Sequence, residues 1–131
     1  MKKRLLIVVG WLLLAGSVQA NDLAPVALQS VTPDRSWFYN LEEVVFDADE
    51  SYVPNGYIAW TKWYIDGVYQ TQGSYYHNMS VCFALYGSPE GDCYELDQGK
   101  TTVQIKLMVQ SNYGYWDEQT ITYTIKEHKG R

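Results

Sequence analysis

The stretch Thr101-Thr102-Val103-Gln104-Ile105-Lys106-Leu107-Met108-Val109-Gln110 decides the fold class. Val103, Ile105, Leu107 and Val109 share one parity, while Thr102, Gln104, Lys106 and Gln110 share the other. Successive side chains of a β-strand point to opposite faces, so this alternation is a strand with one buried face and one wetted face. Downstream, Ser111-Asn112-Tyr113-Gly114 supplies a turn, because Asn and Gly accept the left-handed backbone that tight turns need. A second alternation follows, with Ile121, Tyr123 and Ile125 set against Thr120, Thr122 and Thr124. The two strands read as a hairpin. Upstream, Glu43 to Phe46 and Tyr57 to Ile65 also read as strands, being rich in Val, Ile and aromatic residues. Pro54-Asn55-Gly56 turns between them, and Asp66-Gly67 ends the second. Val26 to Val31 is a candidate first strand and Val68 to Thr71 a short continuation. Tyr76 to Tyr86 holds one or two more, ended by Gly87-Ser88-Pro89-Glu90-Gly91-Asp92. About seven short strands with regular turn signals predict an all-β sandwich. The polar residues from Lys126 to Arg131 are expected to fray.

The chain has 131 residues, 47% hydrophobic, 15% aromatic and 19% charged. It is too apolar for a disordered chain and too rich in Trp and Tyr for a coiled coil, and it has room for one domain. Lys2, Lys3 and Arg4, the apolar run Leu5 to Ala15, and Val18-Gln19-Ala20 together have the three parts of a secretory signal peptide, over residues 1–20. A single domain then occupies residues 21–131. Removing three of the ten cations leaves seven against fifteen acids, a formal charge of −8. Such an acidic chain argues against nucleic acid or anionic lipid as partner, since both are held chiefly by Lys and Arg. The apolar run is too short for a stable span. No Cys follows Ala20 as in a lipoprotein, and no membrane insertion is expected once the signal is removed. The expected location is periplasmic or secreted.

That location bears on Cys82 and Cys93, the two cysteines of the chain. An exported pair most often forms a disulfide. The alternative, a redox or metal-binding pair, lacks C-x-x-C spacing, and the histidines are His77 and His128, the latter in the tail.

Three segments in register carry a family resemblance. Val44-Val45-Phe46-Asp47-Ala48 followed by Pro54-Asn55-Gly56-Tyr57-Ile58 resembles the early strands of PKD-type immunoglobulin-like domains. Trp63-Tyr64-Ile65-Asp66-Gly67 resembles the segment with the core tryptophan, and Val109-Gln110-Ser111-Asn112-Tyr113-Gly114 resembles the turn before the last strand. The similarity runs from Val44 to Ile125, about three quarters of the chain after the signal. It implies an immunoglobulin-like sandwich with Trp63 in the core. The pattern departs from the family in lacking one Gly of the Gly-Asp-Gly turn, in Ser111 replacing Asp, and in the longer Gln72 to Gly99 segment with its two cysteines. Fold transfers across such domains better than activity.

Two features bear on chemistry. Asp47, Asp49, Glu50, Asn55 and Asp66 offer hard oxygen ligands that would suit Ca²⁺ if the loops converge, and some PKD-like domains bind calcium near the matching turn. Their spacing is not that of an EF-hand, and solvated turn acids are ordinary on an acidic protein, so the expectation is no cofactor, with calcium as the alternative. The second feature is parity in the Trp60 strand. Trp60 and Trp63 lie three apart and must face opposite ways. If Trp63 points inward with Ala59, Thr61 and Ile65, then Trp60, Tyr64 and Ile58 point outward, and a hairpin pairing alongside adds Met108 and Trp116. An open aromatic band of this kind suits stacking on sugar rings or docking of a protein. The competing arrangement is that the Gln72 to Gly99 segment folds over this face, and Tyr75, Tyr76 and Tyr86 are open to either role.

Catalytic signatures are missing. His77 has no nucleophile in a recognisable motif, and neither G-x-S-x-G nor H-E-x-x-H occurs. Glu42 and Glu43 are neighbours on a strand and so diverge, which disqualifies them as a glycosidase pair. The expected function is a noncatalytic exported binding module, not an enzyme, that recognises a carbohydrate or a protein through Trp60, Tyr64, Met108 and Trp116. The alternative is a structural or assembly subunit of an envelope or secreted complex.

Overall fold

A computed structural model describes residues 20–70, 77–88 and 91–127 of the chain. Most of the predicted signal, Tyr75, Tyr76 and His128 lie outside the described residues. After a short helix, α1 (Ala20–Leu23), come nine strands: β1 (Ser30–Thr32), β2 (Trp37–Tyr39), β3 (Glu43–Asp47), β4 (Ile58–Ile65), β5 (Val68–Gln70), β6 (Asn78–Ala84), β7 (Tyr94–Glu95), β8 (Thr102–Ser111) and β9 (Trp116–Lys126). They form a four-stranded sheet in the order β1-β3-β6-β7 and a five-stranded sheet in the order β2-β9-β8-β4-β5. The architecture is an all-β sandwich.

Among the described residues there are nine strands against about seven expected, the additions being β2 and β7, which are three and two residues long. Runs that short show no periodicity. Val26 is not part of β1; it makes an isolated bridge to Tyr52. Lys126, expected to fray, is paired beside Tyr39 at the end of β9.

Strand parity holds where it was clearest. Val103, Ile105, Leu107 and Val109 are buried, and β8 pairs with β9 from Thr102↔Thr124 to Gln110↔Trp116. On β4, Thr61, Trp63 and Ile65 face the core. One local parity reverses. The register shifts between Ile58, opposite Ser111, and Trp60, opposite Gln110, so Ala59 is an extra residue in a β-bulge. Ile58 therefore packs against the core and Ala59 is exposed, the opposite of the assignment that strict alternation predicts. Trp60 keeps its outward direction.

Asp66 and Gly67 join β4 to β5 with φ of 49° and 83°. Two consecutive positive φ values are what a two-residue hairpin turn matching strand twist requires, and the Asp-Gly pair supplies them.

The core is aromatic at its centre. Phe46 on β3 lies 6.0 Å from Trp63, 6.2 Å from Phe83, 6.1 Å from Phe38 and 5.3 Å from Tyr123, ring centre to ring centre. Rings from both sheets thus meet on one residue, tying the two layers together. Cys82 and Cys93 form a disulfide, linking β6 to the turn that precedes β7. Part of the segment expected to be an excursion belongs to the four-stranded sheet: β6 pairs with β3 over Asn78–Cys82, and its last residues, Phe83 and Ala84, pair with β7.

Tyr123 is 3% exposed, and burial, with the Asp34 charge adding to it, pushes its phenol up to about 12. The unfolded chain ionises this group near pH 10. Its contribution to stability is therefore intact below about pH 10 and lost as the pH rises towards 12. Urea midpoints should fall between pH 10 and 11.5, and Tyr123→Phe should flatten that fall. An unchanged slope in the variant would assign alkaline loss to other groups.

Candidate binding face

The outward residues of the five-stranded sheet are set by the registers already described. Trp60 on β4 stands opposite Gln110 on β8, which stands opposite Trp116 on β9. The two indoles therefore flank one glutamine in a row across three strands, with backbones ~10 Å apart. Trp60 is 50% exposed and Trp116 39%. The next row is Lys62, Met108 and Glu118, and the one after is Tyr69, Tyr64, Lys106 and Thr120. The pairing thus brings Trp60, Tyr64, Met108 and Trp116 onto one face. The two strands of the Gln72 to Gly99 segment, β6 and β7, belong to the opposite sheet.

The rings are not uniformly bare. The Lys62 ammonium lies 5.0 Å from the Trp116 ring centre and the Lys106 ammonium 4.6 Å from that of Tyr64. Tyr69 packs on Tyr64 at 5.6 Å. A ring face attracts a cation, so these lysines are held at the surface as part of the platform rather than sweeping freely through solvent. The face is mixed aromatic and cationic, with Trp60 its most accessible indole. Lys62 and Lys106 could have been found in the sequence by the same even-number parity that selected Trp60 and Tyr64.

A second aromatic cluster occupies the β2 corner of the same face. Trp37 and Tyr39 meet edge to face at 5.0 Å, Arg35 lies 4.3 Å from the Trp37 ring centre, and Lys126 lies 4.5 Å from it. Arg35 also makes a two-pronged ion pair with Glu42. Glu43 turns the other way and accepts a hydrogen bond from the Ser80 hydroxyl, so the adjacent glutamates diverge.

At the end of the sandwich nearest Trp60, the β3–β4 and β8–β9 loops interlock. The Tyr57 backbone N–H donates to the Asn112 side-chain oxygen, and the Tyr113 hydroxyl donates to the Asn55 carbonyl. Gly56 is fitted tightly there: a Cβ would come within 2.3 Å of the Asn112 side chain. Tyr57, Tyr113 and Tyr115 are exposed on these loops, extending the aromatic surface beyond the sheet, and sequence reading did not single them out. Beside them a cleft of about 370 Å³ is lined by Asp49, Tyr52, Tyr57 and His77 among others. His77 adopts a φ of 68°, and its carbonyl accepts from the Ala48 N–H.

Of the residues weighed as alternative calcium ligands, Asp66 stands at the opposite end of β4 from Asn55. Asn55 precedes β4 and Asp66 follows it, so eight strand residues separate them, about 26 Å of extended chain. Asp66 is engaged at its own end, accepting from the Lys100 ammonium at 3.0 Å and the Gln104 N–H at 2.9 Å. Asp47 accepts the Asp49 N–H in a local turn. Among the described residues no group of three His, Cys, Asp or Glu side chains could hold a metal ion. Strand β4 thus sets Asp66 apart from Asp47, Asp49, Glu50 and Asn55, which all precede it.

No family model matches the chain, and no curated protein matches it. Solved structures do. The PKD1 domain of Vibrio anguillarum Epp superposes with a TM-score of 0.53 at 17% identity, over 80% of this chain and 96% of that one. The fold is PKD-like. A structure described as the basis for promiscuous specificity of carbohydrate-binding modules from the β-sandwich superfamily superposes with a TM-score of 0.58 at 25% identity, over 83% of this chain. The present chain spans 37% of that structure's length. The sandwich fold is thus shared with a PKD domain and with structures described as carbohydrate-binding modules, and the disulfide fits an exported domain.

Proposed function

We propose that the chain is an exported, noncatalytic recognition module that binds carbohydrate through the outer face of its five-stranded sheet, with Trp60 as the principal contact and Tyr64, Met108 and Trp116 around it. The observation that carries this reading is the in-register row Trp60–Gln110–Trp116, with both indoles exposed and a side-chain amide between them. Flat rings stack on the C–H faces of pyranoses, and an amide between the rings meets their hydroxyls. Large exposed indoles grouped on one sheet are uncommon without a use. The likeness to carbohydrate-binding modules supports the ligand class, and the secretory-type residues 1–20 together with the disulfide support export. One observation favours a second reading, an assembly subunit of an envelope or secreted complex: the edge strand β5 exposes Val68 and Tyr69, which a partner strand would cover.

Retention on a panel of immobilised polysaccharides tests the first reading. Trp60→Ala should weaken binding by about 2 kcal/mol, roughly thirtyfold in Kd, while circular dichroism and Tm stay near wild type. Binding that survives Trp60→Ala rejects the site. A chain that binds no polysaccharide but co-purifies with an envelope protein supports the assembly role instead.

A further inference from the structure

The distribution of charge carries the proposed site one step further. After the predicted signal the chain holds seven cations against fifteen acids. The outward positions of the five-stranded sheet reverse that balance. Lys62, Lys106 and Lys126 stand there with Glu118 as the one acid among the described strand positions. Lys62 and Lys106 are diagonal neighbours across β4 and β8, roughly 7–8 Å apart at the backbone. Neither pairs with a carboxylate among the described residues, whose ion pairs are Arg35–Glu42 and Lys100–Asp66. Glu118 lies across Met108 from Lys62 and pairs with neither lysine. Both ammoniums are instead held over the rings of Trp116 and Tyr64.

We infer that this face recognises an anionic glycan, one bearing carboxylate or sulfate groups; the inference rests on the carbohydrate reading above. Two unpaired ammoniums beside an open indole offer stacking for a sugar ring and a charge partner for a substituent one unit along. Resting the lysines on rings reduces the conformational freedom they lose when a ligand arrives. Glu43, Asp47 and Glu95 belong to the other sheet, so the strand charges that share the face of a bound anion are the local lysines and Glu118. Gln104, Gln110, Thr120 and Thr122 also stand on this face, and their amides and hydroxyls suit hydroxyl-rich ligands better than an apolar protein interface.

The test uses the full chain and matched polymers: polygalacturonate against its methyl-esterified form, and dextran sulfate against dextran, with poly-aspartate as an acidic peptide. Which pair discriminates identifies carboxylate or sulfate as the recognised group. The anionic member should bind about tenfold more tightly than its neutral partner, and the preference should shrink as salt rises. Lys62→Gln with Lys106→Gln should abolish the preference and each single change should reduce it, whereas Lys100→Gln, a single charge removal at the far end of the sandwich, should not. Trp60→Ala should weaken binding to both members. If neutral polymers bind as well, with dependence on Trp60 but not on the lysines, the anionic assignment falls and the carbohydrate site stands. If poly-aspartate binds as tightly and Trp60→Ala has no effect, simple charge attraction replaces both. Failure of every polymer to bind also overturns the inference. Melting curves of each variant separate these outcomes from misfolding.

Discussion

Replacing Trp63 by alanine is expected to destabilise the domain by about 3–5 kcal/mol, the range for large aromatic-to-alanine changes in a packed core. Trp63 has no exposed surface, stands opposite Leu107 in the sheet, and packs on Phe46, the ring that also meets Phe38, Phe83 and Tyr123. Its removal leaves a cavity at the junction of the two sheets, and both backbones are too constrained by their ladders to close it. Small domains have only about 5–15 kcal/mol of total stability, so the variant should unfold at much lower denaturant or be recovered largely insoluble. The Trp63 indole N–H is buried without a hydrogen-bond partner among the described residues. Trp63→Phe removes that orphaned donor while keeping a ring, and should therefore cost distinctly less than Trp63→Ala. Trp60→Ala, three residues away and facing outward, should change stability by no more than about 0.5 kcal/mol. Equal losses at Trp60 and Trp63 would show that both faces of β4 are covered, and the binding face would lose its basis.

The second large effect concerns Cys82 and Cys93. Their bridge closes a loop with a sequence separation of 11. In the chain-entropy account, a closure of that size restricts the unfolded chain by about 3 kcal/mol. Cys82→Ala with Cys93→Ala should lower stability by about that amount. The fold should survive, because the main ladder, β4-β8-β9, contains neither cysteine and Phe46, Trp63 and Leu107 pack without them. The expected damage is local: β7 is two residues long and is held to the sheet through its pairing with β6 and the adjacent bridge. Hydrogen exchange should show Tyr94 and Glu95 losing protection before β8 and β9 do. Alkylation of the native protein without reductant should leave both cysteines unmodified, and complete labelling would overturn the bridge.

Much of the sandwich was legible from residue order. The alternations in β8 and β9 need no tertiary information, because a strand with one wet and one dry face must write its parity into the sequence. Parity said only that Trp60 and Trp63 face opposite ways, and likeness to the PKD pattern placed Trp63 in the core. The same parity put Trp60, Tyr64 and Met108 on the opposite face. Local rules failed where a neighbour decided. The bulge at Ala59 exists because β4 must stay in register with β8 while the chain turns in from the β3–β4 loop, and it reversed Ile58. Strands β2 and β7 are too short to be periodic and form only because β9 and β6 offer them a ladder.

The candidate site divides along the same line. The residue types were readable, and so was which side of its own strand each would take. What lay beyond the sequence was distance across strands. Registers between β4, β8 and β9 put Trp60 and Trp116 in one row, rested Lys62 and Lys106 on aromatic rings, and gathered cations on one face of an acidic chain. The same strand geometry separated Asn55 from Asp66 by the length of β4. Alternation is a local property, fixed by the pleat of a single strand. Which side chains share a surface is set by pairing between segments far apart in the chain, and only the folded sheets determine it.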